Sequence, residues 1–333
     1  MSSPAEVRAA AEAAVRQGIA RIAAHAPAAD LPGASLLDER LRLAGPGFEP
    51  RSAFRILRAT DGWFGLSLPR ESDRELVPAL VEDEVTDPWD AVARWLVSRP
   101  LVEAQARAVL LGLPAAGIPA PGGAPRREPV VATPGGARPG AARPTVVDLS
   151  SLWAGPLAAR LLGLAGARVI KVESRTRPDG ARFGPPAFFR AMHAGHESVV
   201  LDFADPRALR ALIATADVVI EASRPRALRQ LGLLAEDVAA AGTVWASITA
   251  YGRDEENALR VGFGDDVAAG AGLVAWTSEG PRAVGDALGD PLTGVAAAAA
   301  VVEQLATGCG AVLDVSMHDV CSGVAAGIAS AGT

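Results

Sequence analysis

The stretch VGDALGDPLTGVAAAAAVVEQL, Val284 to Leu305, contains one carboxylate, Asp290, whose setting raises the question of chemistry. Two roles fit its setting. Asp favours the N-cap of a helix, where a side-chain oxygen accepts an otherwise unpaired backbone N–H. Pro291 would then open the helix, where its missing N–H costs nothing, and the Ala-rich run that follows is a strong helix former. The same place suits a nucleophile. The helix macrodipole favours an ionised carboxylate by about 0.3–1 kcal/mol, and the N–H groups there can stabilise an oxyanion on an attacked carbonyl. Gly289 and Gly294 permit close approach of a ligand. From this stretch alone the cap is the favoured reading, and the nucleophile needs support from the rest of the chain.

Other candidates for chemistry are few. Asp265 and Asp266, in FGDD, read as caps of a following helix. The four histidines (His25, His193, His196, His318) form no HxxxH or HExxH pattern, and Cys309 and Cys321 no CxxC, so neither a metal site nor a disulfide framework is expected. No GxGxxG follows the first apolar strand and no GxxxxGK[ST] occurs, which argues against a nicotinamide enzyme or a P-loop NTPase. The chain has 333 residues and a net charge of −6, and Lys171 is its only lysine. That balance excludes the basic face of a nucleic-acid binder. An anionic ligand would have to be held by local arginines and helix N-termini. The N-terminal MSSPAEVRAAAEAAVRQG is charged and lacks an apolar signal core, and no apolar run reaches membrane-spanning length. The expectation is a soluble cytoplasmic protein without membrane contact.

The elements that must position these groups fall into two patterns. Behind Pro144, short apolar runs alternate with helices: TVVDLS (145–150), AGPLAARLLGLAGA, RVIKVES (168–174), SVVLDF (198–203), DPRALRALIATA with an Asp205 cap and Pro206 first, DVVIEAS (217–223), TVWASITAYG and AVLDVSM (311–317). This predicts an α/β fold, a Rossmann-like parallel sheet covered on both faces, with ligands outside the C-terminal strand ends. Before it lies a helix over 5–25, followed by two strands in Phe54–Leu68 around an Asp61-Gly62 turn and two further helices; the strands and these two helices form a smaller α+β domain placed N-terminal to the sheet. PAPGGAPRREPVVATPGGARPGAARP (119–144) reads as an exposed linker. The expected organisation is a helical segment over 1–47, a small domain over 48–120, a linker over 121–144 and a large domain over 145–333.

Taken together, these stretches resemble the family III CoA-transferases, the superfamily of formyl-CoA transferase, carnitine CoA-transferase and α-methylacyl-CoA racemase. VVDLSSLWAGPLAARLLGLAGARVIKVES looks like the first strand–helix–strand unit of that family and HAGHESVVLDFADPRALRALIATADVVIEASRP like the next. VGFGDDVAAGAGLVAWTSEG, GDALGDPLTG and GAVLDVSMHDV follow in the family's order, so the likeness runs nearly unbroken over 145–325. RILRATDGWFGLSL and LLGLPAAGIP resemble the two ends of the family's small domain. In the usual order that domain follows the large-domain half, whereas here it precedes it, so the chain looks circularly permuted.

The resemblance implies transfer of coenzyme A between carboxylic acids, with Asp290 as the nucleophile that passes through a mixed anhydride and an aspartyl-CoA thioester. The substrates would be an acyl-CoA and an acid acceptor, with no permanently bound cofactor, and the chain would form a homodimer. It further implies coenzyme A contacts by Trp153, Ala154 and Gly155 at a helix start, by Arg175 after KVES and by Arg224 in EASRP. Each has an alternative reading, core packing for Trp153 and a solvated side chain for the arginines. Asp265 stands where the racemase branch has a general-base histidine; it and Asp266 are the possible acid–base groups, and the absence of that histidine counts against the alternative of a racemase-like acyl-CoA enzyme, while the departures at His193 and His196 leave room for another alternative, an inactive CoA-binding partner subunit. His193 and His196 replace the Asn and Lys/Arg of the family's NRGKRS element and read as structural.

Overall fold

The structure is a computed structural model that describes residues 2–38, 53–121, 128–138, 140–223 and 225–331. Helix α1 (Pro4–His25) comes first. A small unit follows: strands β1 (Phe54–Arg58) and β2 (Trp63–Ser67), helices α2 (Glu71–Glu75), α3 (Val77–Val81), α4 (Pro88–Leu96) and α5 (Leu101–Leu110), and strand β3 (Ala115–Ile118). The remainder alternates. Strands β4 (Val130–Ala137) and β5 (Thr145–Asp148) precede α6 (Ala154–Leu164) and β6 (Arg168–Ser174). A 3₁₀ turn at Gly180–Phe183 leads to α7 (Pro186–Met192), β7 (Glu197–Leu201), α8 (Arg207–Ile213) and β8 (Val218–Glu221). Then come α9 (Pro225–Gln230), α10 (Ala235–Ala240), β9 (Val244–Thr249), α11 (Gly264–Gly270), a hairpin of β10 (Ala275–Thr277) and β11 (Gly280–Arg282), α12 (Gly289–Ala306), β12 (Cys309–Ser316) and α13 (Met317–Ala331).

The predicted α/β class is observed. Seven strands form one sheet in the order β4-β12-β9-β8-β5-β6-β7, parallel except at β4. The chain runs outward from β5 through β6 to β7, then returns to the other side of β5 for β8 and β9. The order therefore reverses between β5 and β8, the point at which open α/β sheets bind ligands beyond their C-terminal strand ends. Val147 and Val219 are fully buried on one face and Val146 and Val218 on the other, as a doubly covered sheet requires.

Three departures from the sequence reading have simple causes. Residues 130–137, which read as linker, form the edge strand β4, antiparallel to β12. Pro134 is tolerated because an edge strand has one unpaired side, and Gly135 and Gly136 lie so close to the carbonyls of Ala239 and Ala240 that a side chain there would collide with backbone. Helix α1 is part of the large core, not an appendage. Val7, Ala11, Val15 and Ile22 are fully buried in it, Gly18 crosses directly over Val295 of α12, and Arg21 pairs with Glu303. At α8 the cap position falls to Pro206, not Asp205, whose carboxylate accepts the Arg207 N–H at 3.3 Å.

The small unit has its own core, including Phe64, Leu66, Leu68, Val77, Leu80 and Leu96, all fully buried. Its antiparallel sheet β1-β2-β3 lies against the α11 region. Trp63 covers Gly280, and Ser67 at the end of β2 donates its hydroxyl to Asp266 at 2.7 Å.

Candidate active site

Asp290 lies in the first turn of α12, but not at its cap. The chain begins to coil earlier than the pattern implies: Ala287 has φ +50°, Leu288 takes the cap position with helical angles, and the Asp290 N–H is donated to Ala287 O at 3.0 Å. Asp290 is thus the second helical residue and Pro291 the third, still among the first four positions that lack an intrahelical acceptor for their N–H. The Asp290 side chain is half-buried, and its Oδ2 rests over Gly264 at the start of α11. Gly289 packs on the same residue, since a Cβ there would come within 2.8 Å of Gly264 O and 3.0 Å of Met317 Sδ. Two further helices converge here. The α6 start is adjacent, because a Cβ at Gly294 would stand 2.6 Å from Ala154 O. From α13, Cys321 is fully enclosed, and burial together with the Asp290 charge pushes its thiol well above the usual range.

The two acidic neighbours serve different ends. Neither holds the cap position of α11, which falls to Phe263, but Asp266 is the acidic partner of its capping box and accepts the Phe263 N–H at 3.0 Å. Asp265 Oδ1 accepts the Ala287 N–H at 2.7 Å and so braces the turn that leads into Asp290. Asp266 is fully buried, accepts Ser67 from the small unit, and is pushed up to about 7 mainly by burial. Tyr251 lies nearby, 7% exposed, with the Arg260 guanidinium carbon 3.3 Å from its ring centroid.

The other predicted residues are placed as follows. Trp153 occupies the cap position of α6, but its ring is 4% exposed and packs edge-on to Phe188 at 5.7 Å. Ala154 is buried and Gly155 abuts Ser150. Arg175 is exposed just beyond the C-terminal end of β6, its N–H donated to Leu201 O at 3.0 Å. Arg224 lies outside the described residues. His193 and His196 are largely enclosed, and burial lowers both, His193 to about 4, so that neither is a cation at neutral pH. Among the described residues, no cluster of three or more His, Cys, Asp or Glu could hold a metal ion, and no helix is long and apolar enough to cross a membrane.

Two features of the site were missed from sequence. Ser67 carries no local signal, because only the docking of the small sheet brings it to Asp266. Lys171 did carry one. A sole lysine in the middle of the apolar strand RVIKVES has to be buried, and in the structure it is 1% exposed, with Nζ 2.9 Å from Asp179 Oδ2.

The sequence profile of CoA-transferase family III matches residues 144–330, more than half of the chain. The chain belongs to CoA-transferase family III. It is 32% identical over 206 residues to the succinate–glutarate CoA-transferase of Agrobacterium fabrum, covering 54% of this chain and 52% of that protein. It is also 32% identical over 193 residues to the acetyl-CoA:oxalate CoA-transferase of Acetobacter aceti, covering 52% and 50%. Among solved structures it is similar to a CaiB/BaiF family protein from Brucella suis, with TM-score 0.53, 31% identity and coverage of 59% and 57%. A hypothetical protein from Mycobacterium tuberculosis gives TM-score 0.53, 32% identity and coverage of 59% and 60%. The chain thus spans about half the length of the curated relatives it matches.

Proposed function

We propose that this chain carries the nucleophile of an enzyme that moves coenzyme A between carboxylic acids, and that Asp290 is that nucleophile. The observation that carries the reading is its half-buried carboxylate in the first turn of α12, beside the first turn of α6 and over a glycine. The macrodipole favours the ionised form of such a group, and Gly264, lacking a Cβ, leaves room for its Oδ2.

The reaction proceeds by exchange. Asp290 Oδ attacks the thioester carbonyl, the C–S bond breaks, and an acyl-aspartyl anhydride and CoA thiolate result. The thiolate attacks the aspartyl carbonyl of the anhydride, releases the donor's carboxylate and leaves aspartyl-CoA thioester. The acceptor carboxylate attacks that thioester and expels the thiolate, which takes the acceptor acyl group from the new anhydride and frees Asp290. A carboxylate suits this path because it both accepts and releases acyl groups at similar energies. Relatives named for succinate, glutarate and oxalate support short dicarboxylic acids as the first substrates to test.

A racemase needs acid–base groups on both faces of the substrate α-carbon. Asp266 is enclosed and bonded to Ser67, and Asp265 is occupied with the Ala287 N–H, so no observation favours that reading. The exchanged order of small and large units supports a permuted family member. The family likeness supports a homodimer.

The test is to incubate the protein with succinyl-CoA or oxalyl-CoA, quench with hydroxylamine and map the product by mass spectrometry. A hydroxamate at Asp290 is expected. Transfer without any adduct at Asp290 overturns the assignment. No adduct and no transfer with any acyl-CoA leaves a CoA-binding subunit as the reading.

A further inference from the structure

The loop from β5 to α6, Leu149 to Trp153, holds a backbone shape that its sequence does not favour. Leu152 has φ +72°, in the left-handed region that glycine enters freely and a branched side chain does not. Its side chain is 41% exposed, so its own burial does not compensate. Strain of this kind persists only where the surroundings enforce it, and it collects at ligand-binding positions.

The enforcing groups lie beneath the loop. Asp148 Oδ1 accepts the Ser150 N–H at 2.9 Å and also the Ser150 hydroxyl. Asp179 Oδ1 accepts the Leu152 N–H at 2.9 Å and the Ala181 N–H at 2.9 Å. Lys171 stands between the two carboxylates. Its Nζ donates to Ser150 O and lies 2.9 Å from Asp179 Oδ2 and 3.7 Å from Asp148 Oδ2. Asp148, Ser150, Lys171 and Asp179 are each 2% exposed or less. Asp179 is anchored in turn, its N–H donated to Glu173 Oε1 at 2.8 Å, and Arg182 Nε donates to that same oxygen at 2.8 Å. The neighbouring His193 Nε2 is 3.9 Å from Asp179 Oδ2 but is held neutral at pH 7 by burial. One ammonium therefore balances two buried carboxylates, each gripping a different residue of the turn.

The turn feeds directly into the first residues of α6, and Ala154 O lies against Gly294, four residues after Asp290 in α12. We propose that Lys171, acting through Asp148 and Asp179, is a positioning residue. Its buried ammonium locks the Leu149–Trp153 turn and thereby fixes the start of α6 beside Asp290. This rests on the reading of that place as the thioester site. Lys171 itself touches no substrate.

Three variants test the lock. Lys171→Met keeps the stem and removes the charge. Leu152→Ile changes no atom count and no charge, but a β-branched residue opposes the left-handed backbone. Leu152→Gly accepts it without strain. Hydrogen exchange at the amides of residues 150–155 and steady-state kinetics with an acyl-CoA are read for each. In Lys171→Met, exchange there should accelerate about tenfold or more, with kcat/KM falling roughly 10–100-fold, chiefly through KM for the thioester. Adding Leu152→Gly to Lys171→Met should recover most of that loss, which a role confined to core stability would not produce. Leu152→Ile alone should reproduce the loss with little change in melting temperature. A folded Lys171→Met with unchanged exchange and kinetics overturns the proposal, as does failure of Leu152→Gly to restore it. If Lys171→Met does not fold, Leu152→Ile and Leu152→Gly decide, and equal behaviour of the two overturns it. Wild-type protein that neither binds nor transfers coenzyme A would sink the acyl-transfer reading, while exchange rates still judge the lock.

Discussion

Gly264→Ala puts the placement of Asp290 under direct strain. Gly264 is buried at the start of α11 with no left-handed φ, so alanine suits its backbone. The difficulty is space. A Cβ would stand 2.7 Å from Ala287 O and 2.9 Å from Ala287 C, and nearer still to Asp290 Oδ2. Ordinary contact begins at 3.4 Å, so the Ala287 carbonyl must yield by the difference, 3.4 − 2.7 = 0.7 Å, and the carboxylate by more. Rotation of the Asp290 side chain relieves its own contact, but the Ala287 backbone has to shift as well. Overpacking of this kind costs about 1–3 kcal/mol of stability, whereas displacing a reacting group by about 1 Å costs roughly 100-fold in rate. The expected result is a folded protein, slightly less stable, with CoA transfer reduced about 100-fold and thioester binding less affected. Gly327→Ala in α13 is the control, because nothing lies within 4 Å of that site. Chemical denaturation gives the stability change and a thiol-release assay the rate. A Gly264→Ala protein with wild-type turnover would mean that the carboxylate need not sit where it does, and the nucleophile assignment would fall with it.

Other substitutions probe the same region. Asp290→Asn should lower transfer by several orders of magnitude, since an amide cannot accept the acyl group. Because Asp290 is the second helical residue and not the cap, the stability cost should be only the lost charge–dipole attraction, about 0.3–1 kcal/mol, measured by urea unfolding with intact mass checked for deamidation. Asp266 is held up to about 7, against 3.8 for the free side chain. The folded state therefore binds the extra proton between those values, and stability should fall as pH rises from about 4 to about 7, by a few kcal/mol at most. Asp266→Asn, which retains an oxygen for Ser67 and Phe263, should flatten that slope in denaturation curves across the range. His193 behaves in the opposite sense. Lowered from 6.5 to about 4, it binds fewer protons when folded, so it withdraws stability as pH falls from about 6.5 to 4. Its imidazole NMR signals should stay those of the neutral ring down to about pH 5.

The strands and the long helices were legible because their periodicity is strong: Pro4–His25, Arg168–Ser174 and the Asp61-Gly62 hairpin fall within a residue or two of the reading. Strand β4 was not, because its partner lies more than 170 residues away, and Pro and Gly there mark an edge and a close crossing instead of a loop. The start of the helix that carries Asp290 was not legible, since the turn at Ala287–Gly289 shifts it by two residues. Composition cannot reveal such a shift, because it depends on a positive φ at an alanine. The Lys171 cluster was half legible. One buried lysine demands counter-charges, and Asp148 pairs with it in register across β5 and β6, but Asp179 comes from a loop beyond the strand.

Lys171 also decides how the protein meets amine-directed chemistry. With no other lysine in the sequence and this one 1% exposed, every solvent-facing side-chain cation among the described residues is a guanidinium or an imidazole. Reagents that acylate or cross-link ε-amines find no target on the folded surface. They reach Lys171 only when the structure around it opens, so the slow appearance of a labelled ε-amine reports that opening, as a rate where labelling outpaces reclosing and as an equilibrium where it does not, without any probe having been introduced.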